Sequence, residues 1–451
     1  MASNQVGDPT RRSWLYHPVF PEQWKRQSLY SLATWVNGLA FREIQFSTNG
    51  KPVIKIAEIK GGISGQTKFT QQTFDESVRV KPGDMLFSWS GQPETSIDVS
   101  WWNGPEGWLN QHVFRVTPAA CVDRTFFYYL LRYLRPNFVG IASNKQTTGL
   151  GHVTKHDLEN MEAAYPEIKE QQSIACILGA LDDKIELNRQ MNRTLEATAR
   201  GIFKSWFVDF DPVRAKAARH QPPGLKPEIA ALFPDAIEGS ELCKIPRGWK
   251  MHRLPEVFDI NPTRSLTKGA LAPYLDMASM PTEGPLPKSW VMRDVGSGMK
   301  FINGDTLIAR ITPCLENGKT AYVDFLADGE VGWGSTEYIV LRPKGAIPPL
   351  FAYLLARTEE FRTFAIQQMT GSSGRQRVPA TSLEKYRIAS PNIDSCLFQH
   401  FGNLVSPMFD RIKAVMMQSC TLATLRDALL LKLISGELTL PDAERIAGRY
   451  A

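Results

Sequence analysis

The chain repeats itself once, at a displacement of 225 residues. FPEQWKRQSL near the start returns as IPRGWKMHRL, so Pro21, Trp24, Lys25 and Leu29 recur as Pro246, Trp249, Lys250 and Leu254. The register persists downstream, where Trp108 matches Trp333, Pro118 matches Pro343, Leu158 matches Leu383 and Pro166 matches Pro391. Small insertions shift it locally: PGDMLF (Pro82 to Phe87) aligns with NGDTLI (Asn303 to Ile308) at 221, and FYYLL with FAYLL at 224. Chance supplies single pairings, not a colinear series across a whole half. A chain of 451 residues is therefore expected to form two similar modules related by a pseudo-twofold axis. Such a geometry suits a partner with its own repeat, duplex DNA or a pair of identical subunits.

Composition narrows the class without choosing the partner. With 43% hydrophobic and 22% charged residues, the chain has the balance of a soluble globular protein. No stretch approaches the ~18 to 20 apolar residues of a spanning helix, so no membrane is expected. The N-terminus MASNQVGDPTRRSW lacks the apolar stretch of a signal peptide. Six cysteines (Cys121, Cys176, Cys243, Cys314, Cys396, Cys420) lie too far apart for a zinc knuckle or a disulfide framework, and read as reduced thiols in a cytoplasmic protein. A net charge of +6 permits a polyanionic partner without requiring one.

Each half opens on short strand-like segments: PVIKIAEI, MLFSWS and HVFRV in the first, KFINGDTLIARI, KTAYVDF and TEYIVLR in the second. Gly, Pro, Asn and Asp separate them, as turns between strands require. One short helix follows in each, RTFFYYLLRYL and PLFAYLLARTEEFRTF. Both regions are expected to be α+β globules with substantial sheet.

The period then changes. Stepping alternately by four and three, the chain gives Ile174, Leu178, Leu181, Ile185, Asn188, Asn192, Leu195, Ala199, Ile202 and Trp206, a heptad seam without proline. At 1.5 Å rise per residue this predicts a rod roughly 50 Å long. The second half answers with Phe398, Phe401, Val405, Met408, Ile412, Val415, Ser419, Leu422, Arg426, Leu429 and Leu433. There Pro407 is expected to kink the rod or to start a new helix with Ser406 as its N-cap. A buried core helix is the alternative for each rod; length, flanking charges and polar seam positions favour a helix pair. Asn188 and Asn192 either fix register and partner choice at some cost in stability, or face solvent on a rotated helix. Between the halves, Pro212, Pro222, Pro223, Pro227, Pro234 and Pro246 imply a linker with one short helix around Glu228 to Leu232.

Catalytic constellations are missing. No Gly-x-Gly-x-x-Gly follows a strand, and GSSGRQR lacks the Gly-Lys-Ser/Thr ending of a phosphate loop. His152 and His156 have metal-ligand spacing but no zinc-protease glutamate between them. Glu167, Asp182 and Lys184 mimic a nuclease set, yet the last two fall inside the heptad rod. NPTR at Asn261 and DPVR at Asp211 do not supply a base methyltransferase loop. Two similar halves that both lack an active site point to a binding protein.

The residues now support a family resemblance. IACILGALDDKIELNRQMNRTLEATARGIFKSWFVDFDPV (Ile174 to Val213) closely resembles the central region of the specificity (S) subunits of type I restriction-modification systems, and LRDALLLKLISGEL (Leu425 to Leu438) resembles the matching place in the second half. GLKPEIAALFP with SELCKIPRGW resembles the entry into the second recognition domain. TTGLGHVTKHDLENMEAAYP (Thr147 to Pro166) resembles the exit from the first. The resemblance implies two target recognition domains held apart by two long antiparallel coiled-coil helices. On this reading 1–166 is the first recognition domain, 167–210 the first spacer helix, 211–245 the linker, 246–392 the second recognition domain, 393–437 the second spacer helix and 438–451 a tail.

It also implies that each domain reads one half of a bipartite, asymmetric duplex sequence, and that the chain has no catalytic activity of its own. Two methylation subunits would dock on the helices, and two restriction/translocase subunits would complete the complex. The chain would bind no cofactor, with S-adenosylmethionine, ATP and Mg on the partners. Ile174, Leu178, Leu181, Ile185, Asn188, Asn192, Leu195, Ile202, Trp206, Ile412, Leu422, Leu429 and Leu433 are the expected seam and subunit-docking positions. Candidate DNA-contacting residues lie in glycine-punctuated loops: Gln66, Lys68, Ser90, Gln92, Lys145, Gln146 and Thr147 in the first domain, and Arg310, Lys319, Ser372, Arg375, Gln376 and Arg377 in the second. Arginine suits guanine and glutamine suits adenine.

Overall fold

A computed structural model describes residues 18–146, 149–240, 244–372 and 374–449. The chain divides into two compact units, one made of Met1–Glu186 with Cys420–Ala451, the other of Leu187–Ser419. The division falls inside both long helices, so each unit takes part of each.

In the first unit an antiparallel sheet runs in the order Ala33–Asn37, Val113–Pro118, Met85–Ser88, Asp98–Trp101. Alternation along MLFS sends Met85 and Phe87 to one core, while Leu86 joins a second with Val80 and Trp108. The helix Arg124–Tyr133 covers the first core with Phe126, Phe127 and Leu130, and starts where Asp123 accepts from the amides of Thr125 and Phe126. A smaller sheet joins Phe69–Thr70, Lys51–Ile54, Gly107–Leu109 and Arg79–Val80, its middle pair parallel. Lys25–Ser28 pairs with Glu162–Tyr165 and draws the two ends of the globule together just before the long helix.

The second unit repeats this pairing, except that Ala272, displaced by 221 from Lys51, faces Arg293 rather than Val291. Lys25 opposite Tyr165 becomes Lys250 opposite Ser390; Ala33 opposite Pro118 becomes Phe258 opposite Pro343. Met85 opposite Trp101 becomes Thr306 opposite Tyr322, and the parallel pair Val53 and Trp108 becomes Tyr274 and Trp333. Each partner is displaced by 221 or 225, as in the sequence. Even the short pairing of Ser90 with His152 returns, as the isolated bridge of Ile311 with Arg377. The duplication is therefore one of strand register as well as of sequence.

The long helices are Ile168–Phe207 and Cys396–Ser435, 40 residues each. In the second unit they run antiparallel, with Asn188 against Ser419, Phe203 against Phe401 and Phe207 against Phe398. Asn188 is buried there, its amide donating to Gln418 Oε1 (3.0 Å) and Ser419 Oγ (3.2 Å), which removes the solvent-facing alternative for this residue. The second helix passes through Pro407 without a break, so the expected new start at Ser406 does not occur. The proline removes the donor that would serve the Asn403 carbonyl, yet Val405, Phe409 and Ile412 on either side are buried in the core, which holds the turn helical.

Two expectations need correction. The seam positions are not a surface on which another subunit can dock: Ile174, Leu178, Leu181 and Ile185 pack in one core with Phe126, Leu130, Leu422, Leu429 and Leu433. Ala199, Trp206 and Ile412 are buried in the core of the second unit, with Leu195 and Ile202 against it. The proline-rich stretch is likewise more than a linker. It forms the helices Asp211–Ala217 and Pro227–Ala230 and the pairing of Ile237–Gly239 with Lys244–Pro246, and it buries Val213, Phe233 and Ile245. In the first unit Gly436 turns the chain at φ 76, where a Cβ would stand 2.7 Å from Pro21, and the helix Leu440–Ala447 packs Ala443 and Ala447 into the core. Among the described residues no helix is long and apolar enough to cross a membrane.

Candidate nucleic-acid interface

In the first unit the candidates fall in two places. Gln66 and Lys68 follow the helix Ile56–Gly61 beside the small sheet; the loop is shaped by Ser64, whose amide donates to Thr67 Oγ1 (2.9 Å) and whose Oγ accepts from the Gln66 amide (3.2 Å). Both side chains are exposed, and Lys68 Nζ stands 5.8 Å from the Phe46 ring centre. Lys55 Nζ lies over the same ring at 5.2 Å, a second ammonium that the loop-based reading missed because Lys55 precedes a helix.

Ser90, Gly91, Gly151 and His152 come together at the end of the larger sheet. The pairings of Ser90 with His152 and Gly91 with Gly151 fix this. Gln92 is exposed at the start of the helix Pro93–Ser96, and exposed Gln146 donates to the Gly149 carbonyl (2.8 Å). Lys145 has a different task. Its ammonium donates to both Asp157 oxygens at 2.6 Å, so it anchors the loop and leaves the set of candidate base readers. Burial opposes ionisation of Asp157, but the hydrogen bonds from Lys145 and Thr154 outweigh it and hold the carboxyl below its usual range. Thr147 lies outside the described residues.

In the second unit Arg310, Arg375, Gln376 and Arg377 are gathered at the corresponding sheet end. Arg377 bridges Ile311 and Thr370, the Gln376 carbonyl accepts from the Thr312 amide (3.0 Å), and the Val378 amide donates to the Arg310 carbonyl (2.9 Å). Glycines let the loop turn back, with φ 118 at Gly371 and φ 79 at Gly374. Arg375 and Ser372 are exposed. Between Arg377 and Arg310 sits Glu337: its carboxylate accepts from Arg377 Nε at 2.8 and 3.0 Å and lies 3.8 Å from Arg310 Nε. Lys319 does not join them, because its ammonium donates to the Met277 carbonyl at 2.5 Å and pins a neighbouring loop.

Buried polar groups tie each globule to the helices of its own unit. Tyr129 donates to Asp182 Oδ2 (2.7 Å), and Asp182 is also paired with Arg426. Asp182 is thus satisfied by a phenol and a guanidinium, and Glu167 is paired with Lys25. Tyr353, displaced by 224 from Tyr129, donates to Glu196 Oε1 (2.6 Å). Burial first, and the adjacent carboxylate second, keep the Tyr129 proton in place far above the usual phenol range. Among the described residues there is no group of three His, Cys, Asp or Glu that could hold a metal ion.

The family profile described as the type I restriction modification DNA specificity domain matches residues 21–197 and 246–400, more than half of the chain. The chain belongs to the specificity subunits of type I restriction-modification systems. It is similar to the MjaIX specificity subunit of Methanocaldococcus jannaschii, 26% identical over 400 residues that span 84% of this chain and 83% of that one. The HindI specificity subunit of Haemophilus influenzae is 37% identical over 142 residues, 31% of this chain and 30% of that one. Among solved structures, the S subunit of a type I restriction-modification system from M. genitalium covers 91% of this chain and 96% of its own, at 15% identity and a TM-score of 0.49.

Proposed function

We propose that the chain is the non-catalytic reader of a type I restriction-modification complex, in which each unit reads one half of a bipartite, asymmetric DNA sequence. One observation carries this reading. The two units share strand register down to single pairs, yet the loops at the shared sheet end differ: Ser90, His152 and Gln146 in one, Ile311, Arg377 and Gly371 in the other. A constant frame with different readers demands two different half-sites. Base contacts fall to Gln66, Lys68, Ser90, Gln92, Gln146 and Thr147 in the first unit and to Ser372, Arg375, Gln376 and Arg377 in the second. The remaining Lys and Arg hold phosphates and make binding salt-dependent.

The long helices act as a spacer. On this reading the composition of the DNA between the half-sites is free while its length is fixed. Two methylation subunits dock on outward helix faces, where Leu187, Leu404 and Met417 are exposed in the second unit and Ile168 and Leu431 in the first. S-adenosylmethionine, ATP and Mg belong to those partners and to two restriction/translocase subunits, and adenine methylation or cleavage follows where this chain directs it, in the cytoplasm. Sequencing the methylated sites produced by the chain with its methylation subunits tests this. A bipartite, asymmetric motif is expected. A scaffold that keeps the helices but has lost DNA reading would yield no motif and refute the proposal, and metal-dependent cleavage by the chain alone would establish a nuclease instead.

A further inference from the structure

Glu337 lies outside the loops of candidate readers, in the turn just before the strand Tyr338–Pro343, yet it is the group on which two of them converge. Its half-buried carboxylate receives Arg377 Nε on both oxygens, at 2.8 and 3.0 Å, and faces Arg310 Nε at 3.8 Å. The backbone makes the arrangement rigid: the Arg310 amide donates to the Glu337 carbonyl (3.0 Å) and the Val378 amide to the Arg310 carbonyl (2.9 Å). A guanidinium held at Nε has its far edge, Nη1 and Nη2, turned away from the acid. Nη1 makes one long bond to the Arg375 carbonyl (3.3 Å), and Nη2 has no partner among the described residues. Arg377 also remains the more exposed of the two arginines, 42% against 28%. A fixed pair of parallel N–H donors matches the adjacent N7 and O6 acceptors of guanine in the major groove, and no other base edge offers two acceptors there.

The duplication supplies an internal control. Arg310, Glu337 and Arg377 correspond by register to Trp89, His112 and His152, and there Trp89 meets His112 edge-on at 5.8 Å. The surrounding strand pairs are kept, while all three side chains change. A trio needed to hold the fold would not be exchanged for aromatic rings inside the same frame.

We infer that Glu337 is a specificity-determining positioning residue: it orients Arg377 so that the second unit reads a guanine. This rests on the proposed function, and the test separates the two. The complex of the full chain with its methylation subunits is assayed for methylation on a duplex library randomised at the half-sites, comparing wild type with Arg377→Ala, Glu337→Ala, Glu337→Gln and the Glu337→Ala/Arg377→Ala double variant. The expectation is a bipartite wild-type motif with guanine at one position of one half-site. Arg377→Ala and Glu337→Ala should each lose about tenfold or more of the preference at that position alone. The double variant should be no worse than Arg377→Ala, because Glu337 acts through it. Glu337→Gln, which keeps an acceptor for Nε, should recover most of the preference. A bipartite motif unchanged in Glu337→Ala overturns this inference alone, as does a uniform loss at all positions, the mark of a merely structural acid. A wild-type complex with no bipartite motif overturns the function itself.

Discussion

Asp305 carries the second unit's most buried charge, fully inaccessible between Arg264 and Arg342. Its Oδ2 also caps a tight turn by accepting from the Ile302 amide (2.9 Å), as Asp84, displaced by 221, does for Lys81 (2.7 Å). Replacing it leaves the partly exposed guanidiniums of Arg264 and Arg342 without an anion, so Asp305→Ala should cost about 3 kcal/mol, read by urea unfolding; a change below 1 kcal/mol would mean that water replaces the pair. Asp157 gives a pH-dependent counterpart. Its folded carboxyl lies below its ordinary range, so its contribution is complete above the unfolded value and fades as pH falls through the folded one. Lys145→Met should shrink that acid-side dependence, a difference visible in melting temperatures taken at pH 3 and pH 7. At this scale the sequence was least informative. Gly-Asp before an apolar strand marked the turns, but nothing in TEYIVLR shows that Glu337 meets arginines 27 and 40 residues away, because partner choice between charged side chains is decided by sheet register.

Long helices were the most legible elements, since their period of 3.5 is written in Ile174 to Trp206, and their polar seam positions are paired except at Asn192, whose buried Oδ1 has no partner among the described residues. Asn188 meets Gln418 and Ser419, and Arg426, a departure from a clean seam, is held by Asp182. Pro407 was legible as a residue but not in its consequence. Packing of Val405, Phe409 and Ile412 outweighs a helix-breaking cost of roughly 3 kcal/mol. Pro407→Ala should therefore raise stability, by about 2 kcal/mol once the freer unfolded chain is counted, measured by thermal unfolding; destabilisation would show that a bend at this turn is built into the packing. In the proline-rich segment the short helix at Pro227–Ala230 falls where one was expected, around Glu228, but Asp211–Ala217 was missed: prolines forbid a long helix yet permit short ones that start near proline, as at Pro212.

Across the molecule, the displacement of 225 proved to be a statement about architecture. The offset falls to 221 between Ala33 and Val53 and returns to 225 between Trp101 and Trp108, so insertions fall between strands while the pairing stays intact. The division into units adds what no repeat displays, that the C-terminal residues complete the first unit. Deleting residues 438–451 would uncover the surface under Ala443 and Ala447. Hydrogen exchange should then rise in the first unit, around Ile174 to Ile185, and stay unchanged in the second; equal loosening of both would contradict that division. The proposed function requires two readers held at a fixed separation. Its most direct measurement is the affinity of the chain, assembled with its methylation subunits, for duplexes carrying both half-sites with spacers of altered length or altered sequence. Changing the spacer bases should leave binding intact, and adding half a helical turn should reduce it toward the non-specific level. Binding that tolerates the added half turn, or that depends on the spacer bases, would contradict the account.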